Sequence, residues 1–168
     1  SKSGTVGFIG GMDIPLIRKF ACGYVQGVKA VNADATVIQN MTGTTPAAWN
    51  DPVKGGELTK AQISQGADVI YAAAGGTGVG VLQAAADADI LSVGVDSNQN
   101  HLHSGKVLTS MLKRVDVAVF DAMSAGTDIE TGKFMTLGLA EDGVGYAVDE
   151  NNEALITDEM SKAVEAAR

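Results

Sequence analysis

The sequence predicts an α/β fold, a parallel sheet of βα units with helices on both faces. Two observations predict it. Four apolar runs in the first hundred residues end in polar or glycine-rich stops: Gly10-Gly11-Met12-Asp13, Asn40-Met41-Thr42-Gly43, Gly75-Gly76-Thr77-Gly78 and Asp96-Ser97-Asn98-Gln99. Longer stretches with helical spacing lie between them. Short apolar runs alternating with helical segments are the pattern of strands buried on both faces. In such sheets ligands bind beyond the carboxyl ends of the strands, so the four stops mark the candidate site.

Residues 5–9 read as a short buried strand. Pro15 suits the first turn of a helix that runs to about residue 30. Leu16, Ile17, Phe20, Tyr24 and Val28 fall at helical spacing along it. A turn at 32–34 leads to a second strand at 35–39. Residues 42–52 form a loop rich in Thr, Pro and Asn, and it carries the single tryptophan, Trp49. Asp51 is placed to cap the next helix, with Pro52 at its first position and an end near Gly66. Residues 67–74 are the third strand, 78–87 an alanine-rich helix, and 90–95 the fourth strand. After a loop, 107–112 reads as a fifth strand and 115–124 as a helix. Residues 134–139 and 144–148 are short strand candidates around Asp142-Gly143, a hairpin signal. Thr157 is a plausible N-cap for a last helix running to Arg168. No linker, low-complexity tract or internal repeat stands out.

Composition sets the outer limits. A chain of 168 residues with 45% hydrophobic content can bury a sizeable core. No apolar stretch approaches the length of a membrane span. The opening Ser1-Lys2-Ser3-Gly4 leads straight into a strand and gives no signal peptide, though a processed chain reads the same way. The net charge of -8 argues against a nucleic-acid or anionic-membrane partner, which calls for a basic face. Cys22 is the sole cysteine, so no internal disulfide or cysteine metal cluster is expected. Its place inside a helix predicts a buried, inert thiol. His101 and His103 lack a third ligand nearby and read as solvated loop residues, so no metal site is expected.

The candidate binding residues follow from the stops. The loop at Gly75 and Gly76 follows a strand and opens a helix, which turns backbone N–H groups toward the crevice. Its spacing matches neither G-x-G-x-x-G nor G-x-x-x-x-G-K-[ST]. It is either a tight turn that lets the helix pack close, or bare backbone for a flat ligand. Asp96 ends an apolar strand, where a carboxylate can accept from vicinal hydroxyls. The bland alternative is a loop cap, and the ligand role is the stronger reading. Trp49 sits off any periodicity and either stacks on a planar ligand or lids the core. Lys113 follows an apolar strand and either donates to a ligand oxygen or starts a solvated helix face. Asp13 and Asp96 make a carboxylate pair only if the fold joins them. No nucleophile elbow, Cys–His pair or Glu–His metal motif is present. One aromatic, one carboxylate, one lysine and bare backbone describe a binding site for a neutral, hydroxylated, planar ligand. No catalytic residue and no cofactor are expected.

Several strings carry a resemblance. They are residues 6–15 (VGFIGGMDIP), 17–20 (IRKF), 65–70 (QGADVI), 73–76 (AAGG), 94–97 (GVDS) and 108–116 (LTSMLKRVD). In this order they resemble the basic membrane protein (BMP) family of ABC-transporter substrate-binding proteins. The resemblance implies a type I periplasmic binding fold, whose lobes have flavodoxin-like strand order. It also implies a receptor for a nucleoside, commonly a purine nucleoside, that works with a membrane permease. The family's Gly-Val-Asp aspartate, which holds ribose hydroxyls, falls on Asp96. Its lysine on the ribose side falls on Lys113. Its base-stacking aromatic falls on Trp49, where relatives often carry phenylalanine, and the Gly75-Gly76 backbone lies beside the ligand. Location would be the periplasm or the outer face of the cytoplasmic membrane, with a lipid anchor in the full protein.

Family members have two lobes and roughly twice this length. By the resemblance, residues 1–103 are the second lobe, 104–132 a strand–helix segment that crosses to the missing first lobe, and 133–168 a return to the second. Without that lobe, the strand at 107–112 and the helix at 115–124 must pack elsewhere, swap with another copy or pair with a separate fragment. An uncovered strand at 107–112 would present a sticky edge. Two other classes compete with the receptor reading. One is a flavodoxin-like or Rossmann-like enzyme acting on a nucleotide, which needs a phosphate loop and an acid–base pair. The other is a ligand-sensing module built on the same lobe.

Overall fold

Alternation along the strands decides which side chains enter which layer. In the computed structural model, which describes residues 1–128, 132 and 134–167, six strands form one sheet in the order β2-β1-β3-β4-β5-β6. They are β1 (Thr5–Met12), β2 (Thr36–Gly43), β3 (Val69–Ala73), β4 (Leu91–Asp96), β5 (Val107–Lys113) and β6 (Val144–Tyr146). The first five run parallel, and β6 pairs antiparallel with β5. The helices are α1 (Pro15–Val31), α2 (Pro52–Ser64), α3 (Thr77–Asp87), α4 (Val115–Ala125) and α5 (Asp158–Ala167).

Phe8, Tyr71, Ala73 and Val95 face one side of the sheet and pack with Ile17 and Ala21 of α1. Ile9, Ile70, Ala72 and Val107 face the other side and pack with Val81 and Leu82 of α3. Leu58 and Ile63 of α2 border that second cluster. The predicted α/β sheet with helices on both faces is therefore the observed architecture.

Close helix contact on the second face requires glycine. A Cβ on Gly80 would lie 1.9 Å from the Pro52 carbonyl oxygen, and one on Gly55 would lie 2.5 Å from the Thr77 carbonyl oxygen. Asp51 caps α2 as expected: its carboxylate accepts from the Lys54 amide at 2.9 Å, and Pro52 opens the helix. Thr157 likewise accepts from the Met160 amide at 3.2 Å at the start of α5, whose expected last residue, Arg168, lies outside the described residues.

Several boundaries differ from the sequence reading. β1 and β2 run on through their glycine and polar stops, because each completes the other's ladder as far as Met12 against Gly43. The Thr42 hydroxyl adds a bond to the Gly10 carbonyl at 2.8 Å. Gly10 and Gly11 belong to the strand because side chains crowd them: a Cβ on Gly10 would lie 2.4 Å from Met41 Sδ. Residues 134–139 form no strand. Phe134 and Met135 are exposed and find no neighbouring ladder. The turn at Asp142-Gly143 is real, with the Gly143 amide donating to the Gly138 carbonyl at 2.8 Å, but it delivers β6 to β5 instead of closing a local hairpin.

Segment 104–132 divides at Lys113; its residues 129–131 lie outside the described residues. β5 is a strand of this sheet. It pairs with β4 on one side; on the other, β6 pairs with residues 111–113, and the Ala147 amide and Asn152 side chain donate to the Ser110 and Leu108 carbonyls, so the strand does not stand as an open edge. α4 is different: it has no buried residue, and Val115, Val119, Phe120 and Met123 are exposed. Cys22 also departs from expectation. It is exposed, since Ile17 and Ala21 take the inward face of α1.

Candidate functional site

Strand order lines up the carboxyl ends of β1, β3, β4 and β5 along one edge of the sheet. That edge carries Met12-Asp13, Ala73 with Gly75 and Gly76, Asp96, and Lys113. Neighbouring strands are about 4.8 Å apart, so the row from β1 to β5 spans about 14 Å.

Trp49 reaches this edge from a 3-10 turn, Pro46–Trp49. Thr77 at the start of α3 fixes the turn. Its hydroxyl donates to the Ala48 carbonyl at 2.8 Å and accepts from the Asp51 amide at 2.7 Å. The indole crosses bare backbone: a Cβ on Gly11 would lie 2.4 Å from its ring, and one on Gly75 would lie 3.5 Å away. It also packs against the Phe8–Tyr71 cluster, yet remains only half-buried. So Trp49 closes part of the core without being fully buried.

Gly75 takes the left-handed conformation, φ +56°, which lets the chain turn from β3 into α3. Gly75 and Gly76 are exposed beside Trp49 and Asn50. A Cβ on Gly76 would press against the Trp49 carbonyl oxygen at 3.2 Å.

Asp96 ends β4, also in the left-handed region, with φ 70°. That conformation is uncommon for a non-glycine residue, although aspartate tolerates it better than most. The turn beyond it is tied down. The Ser97 amide donates to the Val95 carbonyl at 2.9 Å, and Gln99 Oε1 accepts from the Val95 amide at 2.9 Å. The Gln99 amide donates to Ser110 Oγ at 3.0 Å, linking the turn to β5. Because β4 and β5 are adjacent and parallel, Asp96 and Lys113 end side by side, and Lys113 Nζ lies 2.8 Å from Asp96 Oδ1. The same ammonium sits 5.1 Å from the centre of the Phe20 ring. Beneath them, burial chiefly, and then the Asp96 charge and Tyr24, push the Tyr71 phenol above the ordinary tyrosine range. Tyr71 therefore stays neutral near neutral pH.

Asp13 is engaged elsewhere. Arg18 donates to both its oxygens, at 2.7 and 2.9 Å, and this hydrogen bonding holds its carboxyl below the usual carboxylate range. Asp13 and Asp96 each face their own cation and do not form a carboxylate pair. His101 and His103 lie on a 3-10 turn and belong to no cluster of three or more His, Cys, Asp or Glu side chains among the described residues.

The sequence residues thus meet at one edge: Trp49 with Gly75 and Gly76, Asp96 with Lys113. Sequence reasoning treated Phe20 only as a packing residue and passed over Tyr71 and Gln99. For Phe20 the signal was present as helical spacing, but its neighbour Lys113 lies 93 positions away in sequence.

Comparison with known proteins adds to this geometry. Residues 1–167 match the family described as Bmp, ABC transporter substrate-binding protein PnrA-like. The chain is 32% identical to basic membrane protein D of Borreliella burgdorferi, over 98% of this chain and 48% of that protein. It is 33% identical to the ABC transporter nucleoside-binding protein BmpA of Lactococcus lactis, over 97% of this chain and 50% of that protein. The chain thus spans about half the length of these curated relatives. A crystal structure of an ABC transporter system solute-binding protein from Aeropyrum pernix superposes with a TM-score of 0.74 at 31% identity, covering 97% of this chain and 45% of that one.

Proposed function

This chain belongs to the Bmp family of PnrA-like ABC transporter substrate-binding proteins, and on that premise we propose that it forms one lobe of an importer's receptor for a nucleoside. The family is one of substrate-binding proteins and not of enzymes. In this reading the base stacks on Trp49 over the Gly75-Gly76 backbone. Asp96 accepts from the ribose hydroxyls and Lys113 donates to a ribose oxygen. The ligand is a purine nucleoside, whose larger ring covers more of the indole.

The observation that carries the proposal is the Asp96–Lys113 pair, 2.8 Å apart, on the same sheet edge as the half-buried Trp49. An acceptor beside a donor suits a diol, which offers both. The edge, about 14 Å long, accommodates a base and its sugar laid end to end. A single edge encloses only one side of a ligand, so the complete receptor closes a second lobe over it. α4, with its exposed apolar side chains, is the segment proposed to cross to that lobe. The closed form then presents itself to a membrane permease on the outer side of the cytoplasmic membrane.

Titration of Trp49 fluorescence in the two-lobed protein tests this, with adenosine, guanosine, cytidine and free ribose. The expected result is a saturable change with the purine nucleosides and none with ribose. Asp96→Ala should weaken purine nucleoside binding by about 10- to 100-fold, the loss expected for hydrogen bonds to a charged acceptor. Absence of binding by all four ligands, in fluorescence and in calorimetry, refutes the nucleoside assignment.

A further inference from the structure

Lys113 ends β5 with its side chain 42% exposed. A lysine there ordinarily samples many rotamers, because its four-carbon stem is flexible and its ammonium strongly hydrated. Two contacts restrict this one. Asp96 Oδ1 lies 2.8 Å from the ammonium nitrogen. The centre of the Phe20 ring lies 5.1 Å from it, within the range at which a ring face attracts a cation.

Both partners are themselves fixed. Phe20 follows the buried Ile17 on α1 and packs against the Phe8, Tyr71 and Val95 cluster, so its ring is anchored to the sheet. Asp96 is held by its left-handed backbone and by the bonds that tie its turn to Val95 and Ser110. A leucine at position 20 would fill the same apolar space without offering a negative ring face.

We infer that Phe20 is a positioning residue of the binding edge: its ring holds the Lys113 ammonium beside Asp96, where both meet the same ligand. An ammonium has three donors. A carboxylate oxygen takes one and a ring face accepts no directed bond of comparable strength, so donors remain for ligand oxygens. Order imposed before binding removes an entropic cost from the binding step. As far as the ligand is concerned, this rests on the nucleoside reading above.

The test uses the two-lobed protein with 13C at the lysine Cε positions, the Lys113 signal being assigned through Lys113→Arg. The ring current of Phe20 should shift that signal upfield, and Phe20→Leu should abolish the shift while the other lysine signals stay in place. Purine nucleoside binding should weaken about two- to fivefold in Phe20→Leu and recover in Phe20→Tyr. In a Lys113→Met background, Phe20→Leu should have no further effect. An unshifted Lys113 signal overturns the proposal. So does a Phe20→Leu loss of equal size with and without Lys113, or no loss at all. A protein with Lys113 shifted as expected that binds no nucleoside sinks the nucleoside reading and leaves the Phe20–Lys113 contact standing.

Discussion

α3 and α4 have 11 residues each, and both are rich in apolar side chains. α3 buries Thr77, Gly78, Val81, Leu82, Ala84 and Ala85, whereas α4 buries none. The cause lies in their surroundings. α3 is followed by a strand that returns to the same sheet, and glycines let it lie close against α2. α4 leaves the sheet after Lys113, and the chain returns to it only at β6. Apolar content states that a helix needs a partner; the partner's position depends on the rest of the chain. The same contrast separates the sheet of residues 5–113 from the segment 115–167, where most of the large exposed apolar side chains lie.

The comparison can be tested by substitution. Leu82→Ala, at a fully buried position in α3, should destabilise by about 3 kcal/mol in denaturant unfolding, through lost transfer energy and the cavity left behind. A loss well under 1 kcal/mol would mean that α3 is no better anchored than α4.

Asn152 is the next largest. It is buried behind β6, and its side-chain amide donates to the Leu108 carbonyl at 2.8 Å and the Ala147 carbonyl at 2.9 Å. Asn152→Ala removes the side-chain donor from the Leu108 carbonyl and one of two from the Ala147 carbonyl, which keeps the Thr109 hydroxyl, and should cost about 2 kcal/mol. Amide exchange should rise chiefly in β5 and β6. Uniform acceleration across the sheet would contradict the view that this pin holds only the returning segment.

Phe120→Ser in α4 should change the stability of this chain by less than about 0.5 kcal/mol, as for an exposed site. In the two-lobed protein the same change should cost more than about 1 kcal/mol, because there the ring is proposed to be covered. Equal effects in both would remove the case for a crossing helix.

The smallest effect is a pH dependence. Asn98 donates to Asp149 at 2.5 Å, and with the Asn151 amide it holds the Asp149 carboxyl below the usual carboxylate range. The folded value lies below the unfolded one. The contribution to stability is therefore complete above the ordinary carboxyl pKa of about 4 and is lost as pH falls through the lower folded value. Side-chain amide signals of Asn98 should stay constant from neutral pH to about 5 and move only below about 4. Asp149→Asn should flatten that response.

Much of the fold was legible because its signals are local. Pro15, the Asp51-Pro52 cap and the Thr157 cap act within one helical turn of themselves. The glycine and polar stops located the carboxyl-end edge of the sheet, since they mark where apolar runs finish. They misplaced the strand ends, because the β1–β2 ladder carries both strands past their glycines. The strand at 134–139 failed for the converse reason: the residues suit a strand, and among the described residues no strand pairs with them.

By itself, the sequence determined the layered α/β class, the identity of the family, and the residue types at the crevice. Each of these rests on periodicity or on short contiguous strings. Only the tertiary structure decided that β5 joins this sheet, that Cys22 points outward, that Asp13 belongs to Arg18, and that Phe20 lies over Lys113. Those outcomes depend on which distant segments the sheet brings together, and spacing along a chain carries no record of distance across it.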